Sequence, residues 1–482
     1  MDRLSRRSAL RLLSAAGMSA IGASFVSSCG ATATPAPVAA TATPVPVAEA
    51  TQAPATAVAA TVPAAAAEGV TTIVYWHGWS GRFADYLDRV SVEFSKVHPE
   101  IKVKFVQIDW DELYSKLLTA VAAGNPPDTY ICGNESGQLY SLAANGVIMA
   151  LEDIADPNDL VSLKKVIYPP AWEIGTYEGK LWALPKWLQA YEIYVNTDHL
   201  EEAGLSADAA PKTPAELDAI AAKLFKRDND GTIRRLGFDP GDWYFHWWGR
   251  YHGQYVDKNG EPTATFENNE KCISWMCSYS EKYDPTRISA FNEAVSGSDA
   301  QAPFLTGMMS MYLSGPWHLG DIYEFKKDMP YTVWRLPIPE GIDKNGMSSG
   351  GDIPVIPKGV KHPDASFKWC RFLVGVDNPE VYATLWTVGL RPHMPISEEI
   401  AHGDAFKEVM KMFPGYDVFV DDFFTGDIYP PAKMPVAEFY ADRLNSNVQK
   451  ARLLQVTPKE ALETTQSEVK DELAKWKAAH AG

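Results

Sequence analysis

From residue 70 onward, apolar side chains recur first at every second position and then at helical spacing, and this alternation repeats. Thr71 to Trp76, rich in β-branched and aromatic residues, reads as a strand. Leu87, Val90, Phe94 and Val97 follow at helical intervals, and Pro99 ends that helix. Ile101 to Ile108 alternates apolar and polar residues as a second strand. Leu113, Leu117, Leu118 and Val121 mark a second helix, stopped by Gly124-Asn125-Pro126-Pro127. Thr129 to Cys132 is a short third strand, and Ser136 to Asn145 a third helix closed by Gly146. Strand alternating with helix predicts a parallel sheet with right-handed crossovers. Later, Glu192 to Asn196 reads as a strand. Pro211 to Phe225 reads as a helix with Thr213 as N-cap, Pro214 in the first turn and Glu216 three residues on. Val436 to Lys477 is helical, with another N-cap and proline at Thr457-Pro458.

In an open parallel sheet, ligands sit beyond the carboxyl ends of the strands. Those ends here are Trp76-His77-Gly78-Trp79, Asp109-Trp110 and Gly133-Asn134-Glu135. Trp76, Asp109 and Asn134 are therefore candidate ligand contacts, as is Trp187 in Leu184-Pro185-Lys186-Trp187. Trp243 to Tyr255 is the densest aromatic run in the chain. One amphipathic helix buries a single stripe, so some of these rings should line a cleft or interface, Trp247 among them.

The residues ahead of this body change its address. A basic start with Arg3, Arg6, Arg7 and Arg11, a short apolar stretch, and small residues before Cys29 make a secretory signal peptide over residues 1–29. Ser5-Arg6-Arg7 resembles a twin-arginine export signal. The small residues before Cys29 resemble a lipobox, which would make Cys29 a lipid-bearing N-terminus. Residues 30–69 are dominated by Ala, Thr, Pro and Val. Such a segment buries too little to fold and acts as a semi-rigid spacer. Removing the leader takes the formal charge from −17 to −20, with 40 basic and 60 acidic residues left. So acidic a body repels phosphate backbones, which argues against nucleic acid as a partner. No later stretch is apolar enough to span a bilayer, so contact with the membrane is expected through the lipid alone. Cys132, Cys272, Cys277 and Cys370 form no CxxC pair, so zinc is not indicated.

Catalytic motifs fail on their context. Gly346-Met347-Ser348-Ser349-Gly350 matches a nucleophile elbow, but Pro354 and Pro357 forbid the helix that must follow. Asp228-Asn229-Asp230-Gly231 lacks the register of a calcium loop and reads as a solvated turn. His246 and His252 sit six apart, off a common helical face. No catalytic residue, metal site or cofactor is expected, and no enzyme activity.

Four segments together resemble the extracellular solute-binding proteins of family 1 that serve ABC importers, the maltose-binding-protein-like group. They are Leu181-Trp182-Ala183-Leu184-Pro185 with Tyr194-Val195-Asn196; Pro211 to Leu217; Phe304 to Met311 running into Gly315-Pro316-Trp317; and Gly350-Gly351 with Ile356-Pro357-Lys358-Gly359 leading to His362-Pro363-Asp364-Ala365. The resemblance implies an α/β, two-lobed periplasmic-binding-protein type II fold with a hinge and an interlobe cleft. It places the N-terminal lobe at 70–187 and about 351–390, and the C-terminal lobe at 188–350 and about 391–482. It adds Trp317 as a stacking platform, Gly350 and Gly351 for close backbone approach, and Asp352 and Arg391 as further candidate ligand contacts, Arg391 in a loop near the cleft. The implied function is binding a sugar or oligosaccharide and delivering it to permease subunits, as a monomer on the outer face of the membrane. Sugars have apolar faces and a rim of hydroxyls, and are held by rings and hydrogen bonds. Two alternatives stay open: another polar cargo such as glycerol phosphate or a polyamine, and a surface glycoside hydrolase.

Overall fold

The computed structural model describes residues 69–241, 244–295 and 299–481. The leader, Cys29, the spacer and Trp243 lie outside the described residues.

The first lobe runs β1 (Thr71–His77), α1 (Arg82–Val97), β2 (Ile101–Gln107), α2 (Trp110–Ala122), β3 (Thr129–Gly133) and α3 (Gln138–Ala144). β1 is parallel to β2, from Thr71↔Ile101 to His77↔Gln107, and parallel to β3 at Tyr75↔Thr129. Ile73, Tyr75 and His77 alternate onto one buried face of β1. α1 meets the sheet through Leu87, Val90 and Phe94, the stripe set by helical spacing.

The second lobe runs β4 (Glu192–Asn196), α4 (Pro214–Leu224), α5 (Glu267–Tyr283), β5 (Met311–Ser314), α6 (Trp317–Phe325) and β6 (Tyr331–Trp334). β4 lies between β5 and β6 and is antiparallel to both. Its five residues are all buried, and the first is an acid: burial and the Asp422 charge push its carboxyl well above the usual carboxylate range. Glu192 accepts the Leu336 N–H at 2.6 Å and faces the Arg250 guanidinium at 3.5 Å. Arg250 also pairs with buried Asp422, so one cation serves two carboxylates. Removing one member of such a network strands a buried charge, at a cost of about 3–5 kcal/mol.

The chain then returns to the first sheet. β7 (Asp352–Val355) adds antiparallel to β3, from Asp352↔Gly133 to Val355↔Tyr130. α7 (Pro363–Val374) covers that sheet: Trp369 packs on Tyr75 at 5.8 Å and on Phe94 at 5.1 Å between ring centroids. α8 (Pro379–Val388) lies beside α1. The C-terminal stretch is two helices, α9 (Ala437–Arg452) and α10 (Pro458–Ala479), packed on each other. Leu454 breaks the run at φ 56°, and a capping box between Thr457 and Glu460 restarts it.

Three segments lie side by side where the chain crosses between lobes. Residues 187 and 188 form antiparallel bridges to Asp352 and Met394 respectively. Lys186 N–H donates to the Asp352 carbonyl at 2.8 Å, and Leu188 N–H to the Met394 carbonyl at 2.9 Å.

The aromatic run departs from its sequence reading. Only Phe245–Trp248 is helical. The chain leaves the helix there and wraps, so Tyr244, Phe245, Trp247, Trp248, Tyr251 and Tyr255 are all buried. A bent segment buries more than one stripe. The elbow serine, Ser348, is buried and accepts the Gly249 N–H at 2.8 Å. Cys132, Cys272, Cys277 and Cys370 are buried free thiols.

Candidate interlobe binding site

β1 ends at His77, and the next residue has no side chain for a reason. A Cβ on Gly78 would lie 2.3 Å from the Trp110 ring. Trp110 therefore folds over the strand end and meets Trp79 edge-on at 5.6 Å. Trp79 stacks between His77 and Phe83, each at 5.9 Å. The hinge adds Trp187, 5.8 Å from Trp79 and 3.7 Å from His393. From the second lobe Trp317 lies 5.6 Å from His393 and 5.7 Å from Tyr191, and Tyr191 lies 4.0 Å from His246. Rings from both lobes and from the hinge thus form one continuous wall.

Polar groups are set into that wall. Trp187 Nε1 donates to Asp352 Oδ2 at 2.6 Å. The Gln189 amide donates to Glu135, and its backbone N–H to Ser349 Oγ at 3.2 Å. Lys186 is fully buried, with its ammonium 3.9, 4.5 and 4.7 Å from the ring centroids of Trp187, Trp79 and Tyr86. Rings attract a cation through their negative faces. The Tyr382 hydroxyl fixes this turn by donating to the Lys186 carbonyl at 2.7 Å.

Burial shapes the charges. It raises the Glu135 carboxyl to about 7, with the Asp352 charge adding to the effect. It raises Asp352 to about 6 against the pull of Lys186. It lowers the Lys186 ammonium to about 7 against the pull of Asp352. Burial also lowers His77 to about 4 and His246 to about 3, so both imidazoles are neutral at neutral pH.

A cluster of opposite charges flanks the rings. Arg82 on α1 pairs with Asp321 and Glu324 on α6, and its guanidinium lies over the Phe325 ring at 5.2 Å. Arg391 reaches Asp321 at 3.6 Å and covers the Phe83 ring at 4.1 Å. Burial works against the Asp321 charge, but the His318 hydrogen bond and the two guanidinium groups outweigh it and hold its carboxyl below the usual range.

Of the residues singled out in the sequence, the structure brings together Trp187, Trp317, Gly351, Asp352 and Arg391. Gly351 has φ +76°, and a Cβ there would lie 2.4 Å from the Trp187 carbonyl oxygen. Three others are placed elsewhere. Trp76 is half-buried on the opposite face of β1 from Tyr75 and His77. Asp109 is exposed, and its carboxylate accepts the Asp111 N–H at 3.0 Å as the N-cap of α2. Trp247 is a core residue, not a cleft residue: its Nε1 donates to the Pro240 carbonyl at 3.0 Å and its ring packs on Trp275 at 4.4 Å. Asn134 follows β3 in a short 3-10 turn, and its side chain lies outside the described atoms.

Sequence reasoning missed Trp79, Glu135, Lys186, Gln189, Tyr191 and His393. Trp79 and Glu135 stand in the strand-end segments singled out and Lys186 beside Trp187, each near a named candidate. His393 has no local signal; only the hinge pairing at Met394 brings it in. A separate hollow of about 410 Å³ is lined by Thr213, Asp218, Tyr251 and Trp275 among others, and by none of the wall residues named above.

A model of the bacterial extracellular solute-binding protein family matches residues 90–414. The chain is similar to an uncharacterised ABC transporter extracellular-binding protein of Pyrococcus horikoshii, 25% identical over 323 residues that span 64% of this chain and 69% of the relative. It is 23% identical over 296 residues to the sn-glycerol-3-phosphate-binding periplasmic protein of Brucella abortus, covering 58% of this chain and 65% of that one. Among solved structures, CpMnBP1 with mannotriose bound superposes with a TM-score of 0.72 at 28% identity, covering 83% of this chain and 99% of its own. Two lobes, a three-segment hinge, a ring wall fed by both lobes and the matched family model agree: this chain belongs to the bacterial extracellular solute-binding proteins.

Proposed function

We propose that the chain is the lipid-anchored, extracytoplasmic receptor of an ABC importer. It binds a short neutral oligosaccharide, of mannobiose or mannotriose size, between its lobes and hands it to the permease unaltered. The observation that carries this reading is the wall of Trp79, Trp187, His393, Trp317 and Tyr191 contributed by both lobes. Ring faces match the apolar faces of sugars, and Glu135, Asp352, Gln189 and Lys186 match the hydroxyl rim. Of the contacts expected from the sequence, we keep Trp187, Trp317, Gly351, Asp352 and Arg391. CpMnBP1, whose structure holds mannotriose, supports the ligand class. One chain supplies both halves of the site, so a monomer suffices. The Cys29 signal and spacer support a tethered domain.

The glycerol phosphate relative is the main alternative. A phosphate needs cations clear of acids, and here Arg82 and Arg391 are engaged with Asp321, while the Lys186 ammonium lies under the pull of Asp352. Calorimetry with mannobiose, mannotriose, maltotriose and sn-glycerol 3-phosphate decides between them. We expect saturable binding of a neutral sugar, with mass spectrometry recovering it intact. Binding of glycerol phosphate alone, or hydrolysed sugar, overturns the reading.

A further inference from the structure

We infer that Lys186 and Asp352 act as a donor–acceptor pair that selects an uncharged, hydroxyl-bearing ligand and rejects both acidic and amino analogues, an inference that rests on the oligosaccharide reading above. Lys186 is fully buried, and three rings hold its ammonium without accepting conventional hydrogen bonds. Its Nζ has no hydrogen-bond partner among the described residues, although an ammonium carries three donors. Asp352 sits directly beside it in the chain pairing, since its carbonyl accepts the Lys186 N–H at 2.8 Å. The two charges act on each other through space without a short side-chain contact, and Asp352 spends Oδ2 on the Trp187 indole.

A buried donor and a buried acceptor that are neighbours without a hydrogen bond to each other call for a group that can serve both. A hydroxyl does so, because it accepts and donates at once. A carboxylate or phosphate only accepts. It satisfies Lys186 but confronts Asp352 and, beyond it, Glu135 in a medium of low dielectric constant. An ammonium only donates, and confronts Arg391 together with Lys186 in its protonated form. His393, neutral through burial, adds no charge to either side. The discrimination is therefore two-sided, and it falls on one pair of residues.

The test titrates the full chain with mannobiose, dimannuronic acid and diglucosamine by calorimetry. Mannobiose should bind, and each charged analogue should bind roughly 10- to 100-fold more weakly. Either charged analogue binding as tightly as mannobiose overturns the inference. Lys186→Met should lose a similar factor for mannobiose and narrow the gap to diglucosamine; unchanged affinity in that variant also overturns it. The ligand comparison uses the native protein alone, so it holds even where the variant does not fold. Failure of the native protein to bind any neutral sugar removes the oligosaccharide reading itself, and this inference with it.

Discussion

Trp187 and Asp352 hold each other at the crossing between lobes: the indole donates to the carboxylate at 2.6 Å, and their backbones form an antiparallel bridge. The residues that join the lobes are thus also residues of the ring wall, and whatever touches the wall acts on the joint. Trp187→Phe keeps a ring and deletes the donor, leaving Asp352 with a buried acceptor unmet. The expected cost is about 1–3 kcal/mol of stability, read as a lower urea midpoint, together with weaker mannotriose binding. Wild-type values for both would break the link between joint and wall.

Gly351 stands next to that pair with φ +76° and no room for a Cβ, which would lie 2.4 Å from the Trp187 carbonyl oxygen. Gly351→Ala therefore meets two penalties, a left-handed backbone costing about 1 kcal/mol and a backbone clash. Alanine at Gly359, also at positive φ but with nothing within 4 Å, meets only the first. Urea denaturation should rank Gly351→Ala well below Gly359→Ala, and equal midpoints would refute the close approach.

How far the sequence reaches can be judged from single residues. β1, β2 and β3 and the helices between them follow from alternation and helical spacing, because each buries one local stripe. The antiparallel partners of β4 do not, since Met311–Ser314 and Tyr331–Trp334 are paired with it only by the tertiary fold. Asp109 shows why strand ends mislead: the same position that reaches a ligand is the N-cap of the next helix, and capping won. Trp247 shows that ring density is not exposure. Lys186 carries no local signal in the sequence, and only three-dimensional packing puts Trp79 and Tyr86 around it.

Trp247 and Trp317 separate core from site. Trp247→Ala should lose about 3–5 kcal/mol of stability, as for a large buried aromatic. Trp317 is only partly buried and sits where Gly315 lacks a Cβ that would collide with its ring at 2.1 Å. Trp317→Ala should cost less stability and reduce mannotriose affinity by more than tenfold. A Trp317→Ala protein that unfolds more readily than Trp247→Ala would reverse the two assignments.

The buried charges predict a pH signature. Glu135 and Asp352 have folded values of about 7 and 6, above those of an unfolded chain. The folded protein then holds more protons than the unfolded chain between roughly pH 4 and 7, and loses stability as pH rises through that window. Lys186, lowered to about 7, acts in the opposite sense above neutrality, where the folded state holds fewer protons. The three are neighbours and titrate together. Glu135→Gln removes one ionisation while keeping the hydrogen bond to Gln189 within reach. Its stability relative to wild type should grow by about 1 kcal/mol from pH 5 to pH 7, the partial exposure of Glu135 limiting the effect. A constant difference across that range would show that Glu135 ionises freely.

Arg82 offers the last prediction, because its partners belong to the other lobe. It follows β1 directly, while Asp321 and Glu324 lie on the helix after β5. These pairs tie α1 to α6, so they help to hold the lobes in the arrangement seen here. Arg391 cannot replace them: it reaches Asp321 from the return segment, at 3.6 Å. The Arg82 side chain is about one-fifth exposed, so salt screens the pairs only in part. Arg82→Met keeps much of the stem over Phe325 and removes the charge. The expected result is a dissociation rate for mannotriose roughly fivefold faster, equivalent to about 1 kcal/mol, with association little changed. Raising the salt concentration should speed dissociation in the wild type and leave the variant unaffected. Equal salt dependence in the two proteins would mean that this charge pair does not help to retain the ligand, and that the rings and the ligand alone hold the lobes together.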